Sequence, residues 1–136
     1  MKQADLFNHK TTMLITQIHS IMIVDDDADD IELFCETLFD INPGIHCLTA
    51  KNGQEALLAL KKKDFLPDLI FMDLNMPRMT GKQCLAEIKK SELLHTIAVI
   101  IYTTSKIKDD IQETRQPGAF DFITKPYRIA DTNKLC

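Results

Sequence analysis

Five short apolar runs alternating with helical patterns set the strongest limit on what this chain can fold into. They are Ile21 to Val24, Ile45 to Leu48, Leu69 to Met72, Ala98 to Tyr102 and Phe120 to Ile123. Each is too short for a buried helix and has the length of a strand. Between them the apolar period changes. Ile31, Phe34, Cys35 and Leu38 recur at the i, i+3, i+4, i+7 spacing of one helix face, as do Gly53, Ala56, Leu57 and Leu60. Asn52 is placed to cap the second helix and Pro67 to bar its continuation. A third helix is expected over Gly81 to Lys90 around Cys84, Leu85 and Ile88, and a weaker fourth near Ile107 and Ile111, closed by Pro117-Gly118. Strict alternation of strand and helix implies right-handed crossovers and a parallel sheet. The runs are continuously apolar, as a sheet covered on both faces requires. The expectation is an α/β, doubly wound, five-stranded parallel sheet.

One domain accounts for the 136 residues. Residues 1–19 show no assignable pattern and are read as an N-terminal extension, with the domain over 20–136. The net charge of −4 disfavours a phosphate backbone as partner, so no nucleic-acid contact is expected, nor a DNA-binding output domain. The apolar stretch Met13-Leu14-Ile15 is too short for a signal-peptide core or a membrane span, which points to a cytoplasmic protein with no membrane partner. Cysteines 35, 47, 84 and 136 form no C-x-x-C pair and read as buried reduced thiols. The four histidines lie in unrelated segments, and the four glycines form no phosphate-binding loop.

Ligands of an open parallel sheet bind at the carboxyl ends of its strands. The first run ends in Asp25-Asp26-Asp27, the third in Asp73-Leu74-Asn75-Met76-Pro77, the fourth in Thr103-Thr104-Ser105 and the fifth in Thr124-Lys125-Pro126. Carboxylates, a hydroxyl and a lysine from distant parts of the chain thus converge on one edge. Crowded carboxylates repel unless a cation offsets them. Oxygen ligands from Asp25, Asp26 and Asp73 suit a hard cation, and so few of them suit Mg²⁺ rather than a Ca²⁺ cage. Asp73 beside Mg²⁺, Lys125 and the Thr103 hydroxyl is equipped to attack phosphorus, so the chemistry expected is aspartyl-phosphate formation.

These residues resemble the receiver domains of two-component response regulators over roughly residues 20–128. The motifs that carry the resemblance are Val-Asp-Asp after the first strand, Met-Asp-Leu-Asn-Met-Pro-x-Met-x-Gly at 72–81, the strand-four threonine and the Lys-Pro pair. The resemblance implies a flavodoxin-like fold and a phosphoacceptor role without enzymatic turnover. It makes Asp73 the phosphoacceptor and Asp26 and Asp73 direct Mg²⁺ ligands. Asp25 becomes a water-mediated ligand and the Asn75 carbonyl a further one. Thr103 and Lys125 would hold the phosphoryl oxygens, Phe122 would be the switch aromatic, and Lys125-Pro126 would be cis. It also implies a histidine kinase or phosphotransfer protein as donor and a downstream protein target, and leaves room for a homodimer.

Thr104 stands where many relatives have Ala or Ser, which would narrow access to the phosphoryl group and slow its loss. Tyr-Thr-Thr-Ser followed by Asp109-Asp110-Ile111 is more similar to single-domain regulators paired with phytochrome-type kinases than to transcriptional ones. Only ten residues follow Pro126, so the fifth helix is expected to be short or truncated.

Three rival readings compete with this one. Asp25, Asp27, Asp29 and Glu36 fall at EF-hand positions, but Asp30 occupies the glycine position and a strand, not a helix, comes before. Asp27, Asp29 and Asp30 are better read as a cap and first-turn charges. An Mg²⁺-dependent phosphohydrolase of the haloacid-dehalogenase type would need a carboxylate where Asn75 stands. A receiver-like module that is never phosphorylated would lack an acidic residue or the lysine, and all are present.

Overall fold

The computed structural model describes residues 9–62, 66–74, 76, 79–103 and 121–124, with Thr103 and 121–124 described by backbone only. In chain order the elements are α1 (His9–Gln17), β1 (Ser20–Val24), α2 (Ala28–Ile41), β2 (His46–Ala50), α3 (Gly53–Lys61), β3 (Leu69–Met72), α4 (Gly81–Lys90), β4 (Ala98–Thr103) and β5 (Asp121–Thr124). The five strands form one parallel sheet in the order β2-β1-β3-β4-β5. This is the doubly wound order whose ligand site opens at the switch between β1 and β3. The expected fourth and fifth helices lie outside the described residues, as does the Lys125-Pro126 bond.

The sheet buries a separate apolar cluster on each face. Met22, Val24, Ile70, Met72, Val99 and Ile101 pack with α3 and α4 through Ala56, Leu60, Leu85 and Ile88. Ile21, Ile23, Leu69, Phe71, Ile100 and Tyr102 pack with α2 through Phe34 and Leu38. Alternate residues of one strand therefore serve opposite cores, which is why the strands are apolar throughout. Asp68 aligns the start of the sheet: its Oδ2 accepts from the backbone N–H of His19 at 2.9 Å and of Ser20 at 3.2 Å.

Two stretches differ from the sequence expectation. Residues 9–17 form α1, with Ile15 fully buried in the α2-side core. The Asn42 side-chain amide donates to the carbonyls of Ile15 at 2.9 Å and Ile18 at 3.0 Å, so the end of α2 fixes this segment in place. The second strand begins at His46 and runs on through Thr49 and Ala50, because pairing in register with Ser20–Val24 carries it past the apolar run. Thr49 is tolerated there because β2 is an edge strand and the residue is exposed. The thiols also differ: Cys84 is buried, whereas Cys35 and Cys47 are only half-buried.

Candidate functional site

The ends of β1 and β3 are held side by side by the continuing ladder. Asp25 N–H donates to the Ala50 carbonyl and Asp73 N–H to the Val24 carbonyl, each at 3.0 Å. Both aspartates therefore leave the sheet at the same level, next to each other. Asp25 is fully buried, Asp73 is 6% exposed and Asp26 is exposed. A carboxylate oxygen from each of the three lies within 4.8 Å of those of the other two.

Helix caps shape the rest of the site. Asp27 is the N-cap of α2, its Oδ1 accepting from Asp29 N–H at 2.9 Å and Asp30 N–H at 3.3 Å. Its own N–H donates to Asp25 Oδ1 at 3.0 Å. The three consecutive aspartates thus divide their roles: Asp25 and Asp26 face the site and Asp27 starts the helix. The cap and the preceding strand leave no EF-hand. At α4, Thr80 and Gln83 form a capping box, with bonds of 3.2 Å to Thr80 Oγ1 and 3.0 Å to Gln83 Oε1. Gly81 N–H then donates to the Leu74 carbonyl at 3.0 Å, which ties α4 to the loop after Asp73.

Sequence reasoning missed one member of the site. The Tyr102 hydroxyl donates to Asp25 Oδ2 at 2.8 Å, from a ring that is 1% exposed. Burial, and then the negative charge of Asp25, push the phenol well above its ordinary pKa, so it stays a donor. A tyrosine closing an otherwise aliphatic strand was the available signal, since a buried phenol nearly always has a partner. The β4 backbone carries Thr103 to the same edge, paired with Thr124. Asn75, Thr104 and Lys125 lie outside the described residues, and the side chains of Thr103 and Phe122 are likewise not described.

The donor set fits a hard divalent cation. Three carboxylate oxygens converge on one point, one of them on a residue wholly removed from bulk water, and oxygen-only ligation of that kind is the pattern Mg²⁺ uses.

Residues 21–135 match the family described as the response regulator receiver domain. The chain is a response regulator receiver domain. Among solved structures this receiver is similar to the phosphorylated cyanobacterial phytochrome response regulator RcpA, with a TM-score of 0.77 and 31% identity, covering 87% of this chain and 88% of that one. It is similar also to the Mn²⁺-bound form of response regulator Rcp1, with a TM-score of 0.76 and 29% identity, covering 86% and 88%. A curated relative, the probable C4-dicarboxylate response regulator DctR of Bacillus subtilis, is 31% identical over 109 residues, which are 80% of this chain and 46% of that regulator. The chain therefore spans less than half the length of that relative. As a receiver domain it is a phosphoacceptor module of two-component signalling. No helix among the described residues is long and apolar enough to cross a membrane.

Proposed function

We propose that this receiver accepts a phosphoryl group on Asp73 from a histidine kinase or a histidine phosphotransfer protein in the cytoplasm, and passes the signal to a downstream protein through a change of surface. The observation that carries the assignment is the convergence of Asp25, Asp26 and Asp73 at the β1–β3 switch point, with the Asp73 backbone fixed by Val24 on one side and by the loop tied to Gly81 on the other.

In the transfer, an Asp73 carboxylate oxygen forms a bond to phosphorus as the phosphorus–nitrogen bond of the donor's phosphohistidine breaks, and the released imidazole takes up a proton. Asp26 and Asp73 would hold Mg²⁺ directly, Asp25 through water, with the Asn75 carbonyl as a further ligand. The ion supplies positive charge against the phosphoryl oxygens. Thr103 and Lys125 are assigned to those same oxygens, the lysine as a cation and the threonine as a hydroxyl donor. The Mn²⁺-bound relative supports the binding of a divalent ion, and the phosphorylated relative supports the acceptor role. RcpA is a phytochrome response regulator, which with Tyr-Thr-Thr-Ser in this chain favours a phytochrome-type kinase as donor.

Acetyl phosphate with Mg²⁺ tests the assignment. Intact-mass spectrometry should show one labile phosphoryl adduct on the wild type and none on Asp73→Asn. Equal labelling of the variant removes the assignment, and sustained release of phosphate from many phosphoesters would replace it with a hydrolase.

A further inference from the structure

We propose that Tyr102 is a positioning residue for the metal site, holding the Asp25 carboxylate in the orientation in which it meets Mg²⁺. This rests on the metal reading given above and extends it to a residue outside the ligand set.

Asp25 is the one fully buried member of the three-carboxylate group, and a buried carboxylate is costly unless its oxygens are hydrogen-bonded. The two oxygens are held by donors of different kinds. Oδ1 accepts the Asp27 N–H at 3.0 Å, a bond fixed by the capped start of α2. Oδ2 accepts the Tyr102 hydroxyl at 2.8 Å. With a donor on each oxygen, rotation of the carboxylate would break one bond or both.

The phenol itself is held in place. Its ring packs on Phe34 of α2, with centroids 4.7 Å apart, and meets Phe71 of β3 edge-on at 6.3 Å. Phe34 and Phe71 are also in edge contact, at 4.7 Å. The hydroxyl is therefore delivered to Asp25 by three packed rings from three elements. A phenol that merely needed an acceptor would tolerate a mobile carboxylate, whereas here both partners are fixed by packing and by the capped start of α2. Groups that orient metal ligands in this way commonly change affinity by about tenfold or more when removed.

Tyr102→Phe keeps the ring and removes the donor. Calorimetric titration should show Mg²⁺ binding weakened about tenfold, the lower end of the range for such partners. The Mg²⁺ concentration that gives half-maximal labelling by acetyl phosphate should rise by the same factor. Equal or tighter Mg²⁺ binding by a folded Tyr102→Phe protein overturns the proposal. A wild type that binds no Mg²⁺ overturns the metal reading as well, so the two failures are separate.

A second readout leaves Tyr102 itself unchanged. The chain has two tyrosines and no tryptophan, so in Tyr127→Phe the Tyr102 phenol is the sole emitter excited at the tyrosine band. Its emission should change along the same Mg²⁺ titration curve that calorimetry gives. Mg²⁺ binding that leaves this emission unaltered would show that Tyr102 does not sense the Asp25 carboxylate, and the proposal would fail.

Discussion

Gly81 at the start of α4 lies against the backbone of Asp73 so closely that a Cβ there would overlap the Asp73 carbonyl oxygen and stand 2.8 Å from the Leu74 Cα. The atoms it would meet are main chain, which cannot swing aside. Gly81→Ala should therefore push the Asp73 loop and α4 apart, costing about 1–3 kcal/mol as an overpacked contact. Urea unfolding gives the stability and acetyl phosphate labelling gives the site. Both should fall. At Gly53 a Cβ would meet the Met79 side chain at 2.9 Å and Cys84 Cβ at 3.1 Å, and the thioether can move. Gly53→Ala should thus cost less than Gly81→Ala and leave labelling intact. If the two glycines proved equally tolerant, the close approach of α4 to Asp73 would have no mechanical role.

Asp26 is exposed, so removing its side chain leaves both cores untouched. In the wild type, Mg²⁺ at about 100 times its Kd should add roughly 2.7 kcal/mol of stability by mass action. Asp26→Ala should lose most of that gain. In EDTA the sign reverses: with one of three crowded carboxylates removed, the variant should melt at or above the wild-type temperature. Thermal melts with and without the ion read both effects. A variant that keeps the full Mg²⁺ gain would place the ion elsewhere.

Asp27 separates capping from ligation within the acidic run. Asp27→Ala deprives Asp29 and Asp30 N–H of their acceptor and should cost about 1 kcal/mol. Mg²⁺ affinity should hold, because the bond from Asp27 to Asp25 is made by the backbone N–H, which the substitution retains. Calorimetry on the variant decides this, and a large loss of Mg²⁺ binding would return Asp27 to the ligand set.

The sequence made the sheet legible because each central strand is buried on both faces, so Leu69–Met72 could be read to the residue. The edge strand was less legible: its exposed Thr49 breaks the apolar run that register with β1 then extends. α1 went unread because its buried positions are Ile15 and Thr11, with Leu14 only partly covered and Met13 exposed, too few inward-facing apolar residues to make a periodic pattern. At the site, Asp25, Asp26 and Asp73 were readable from their place after strands, and Asp27 from its place before a helix. Tyr102 was not, since its role depends on a bond spanning 77 positions of sequence. The approach of Cys35 on α2 to Cys47 on β2, where one thiol donates to the other, was hidden for the same reason.

The thiols give a prediction at alkaline pH. Burial, with the Glu87 charge adding to it, pushes Cys84 up to about 12, and its Sγ donates to the Gly53 carbonyl at 3.7 Å. A thiol whose pKa is raised by folding stabilises the protein fully below the ordinary thiol value of 9.0, and that stability is lost as pH rises through about 12. Over that window the slope is at most about 1.4 kcal/mol per pH unit. Cys84→Ala should cost stability at pH 7 yet flatten the alkaline limb, so the two stability curves converge between pH 9 and pH 12. Iodoacetamide offers an independent check on a Cys136→Ser background. Donation from Cys47 lowers the pKa of Cys35, so Cys35 should be alkylated first. Cys47 should lag behind it, its pKa raised by that same bond, and Cys84 should stay unmodified until the protein unfolds. Alkylation of Cys84 in the folded protein at pH 8, as fast as that of Cys35, would mean that the α3–α4 contact opens far more readily than its packing against Gly53 implies.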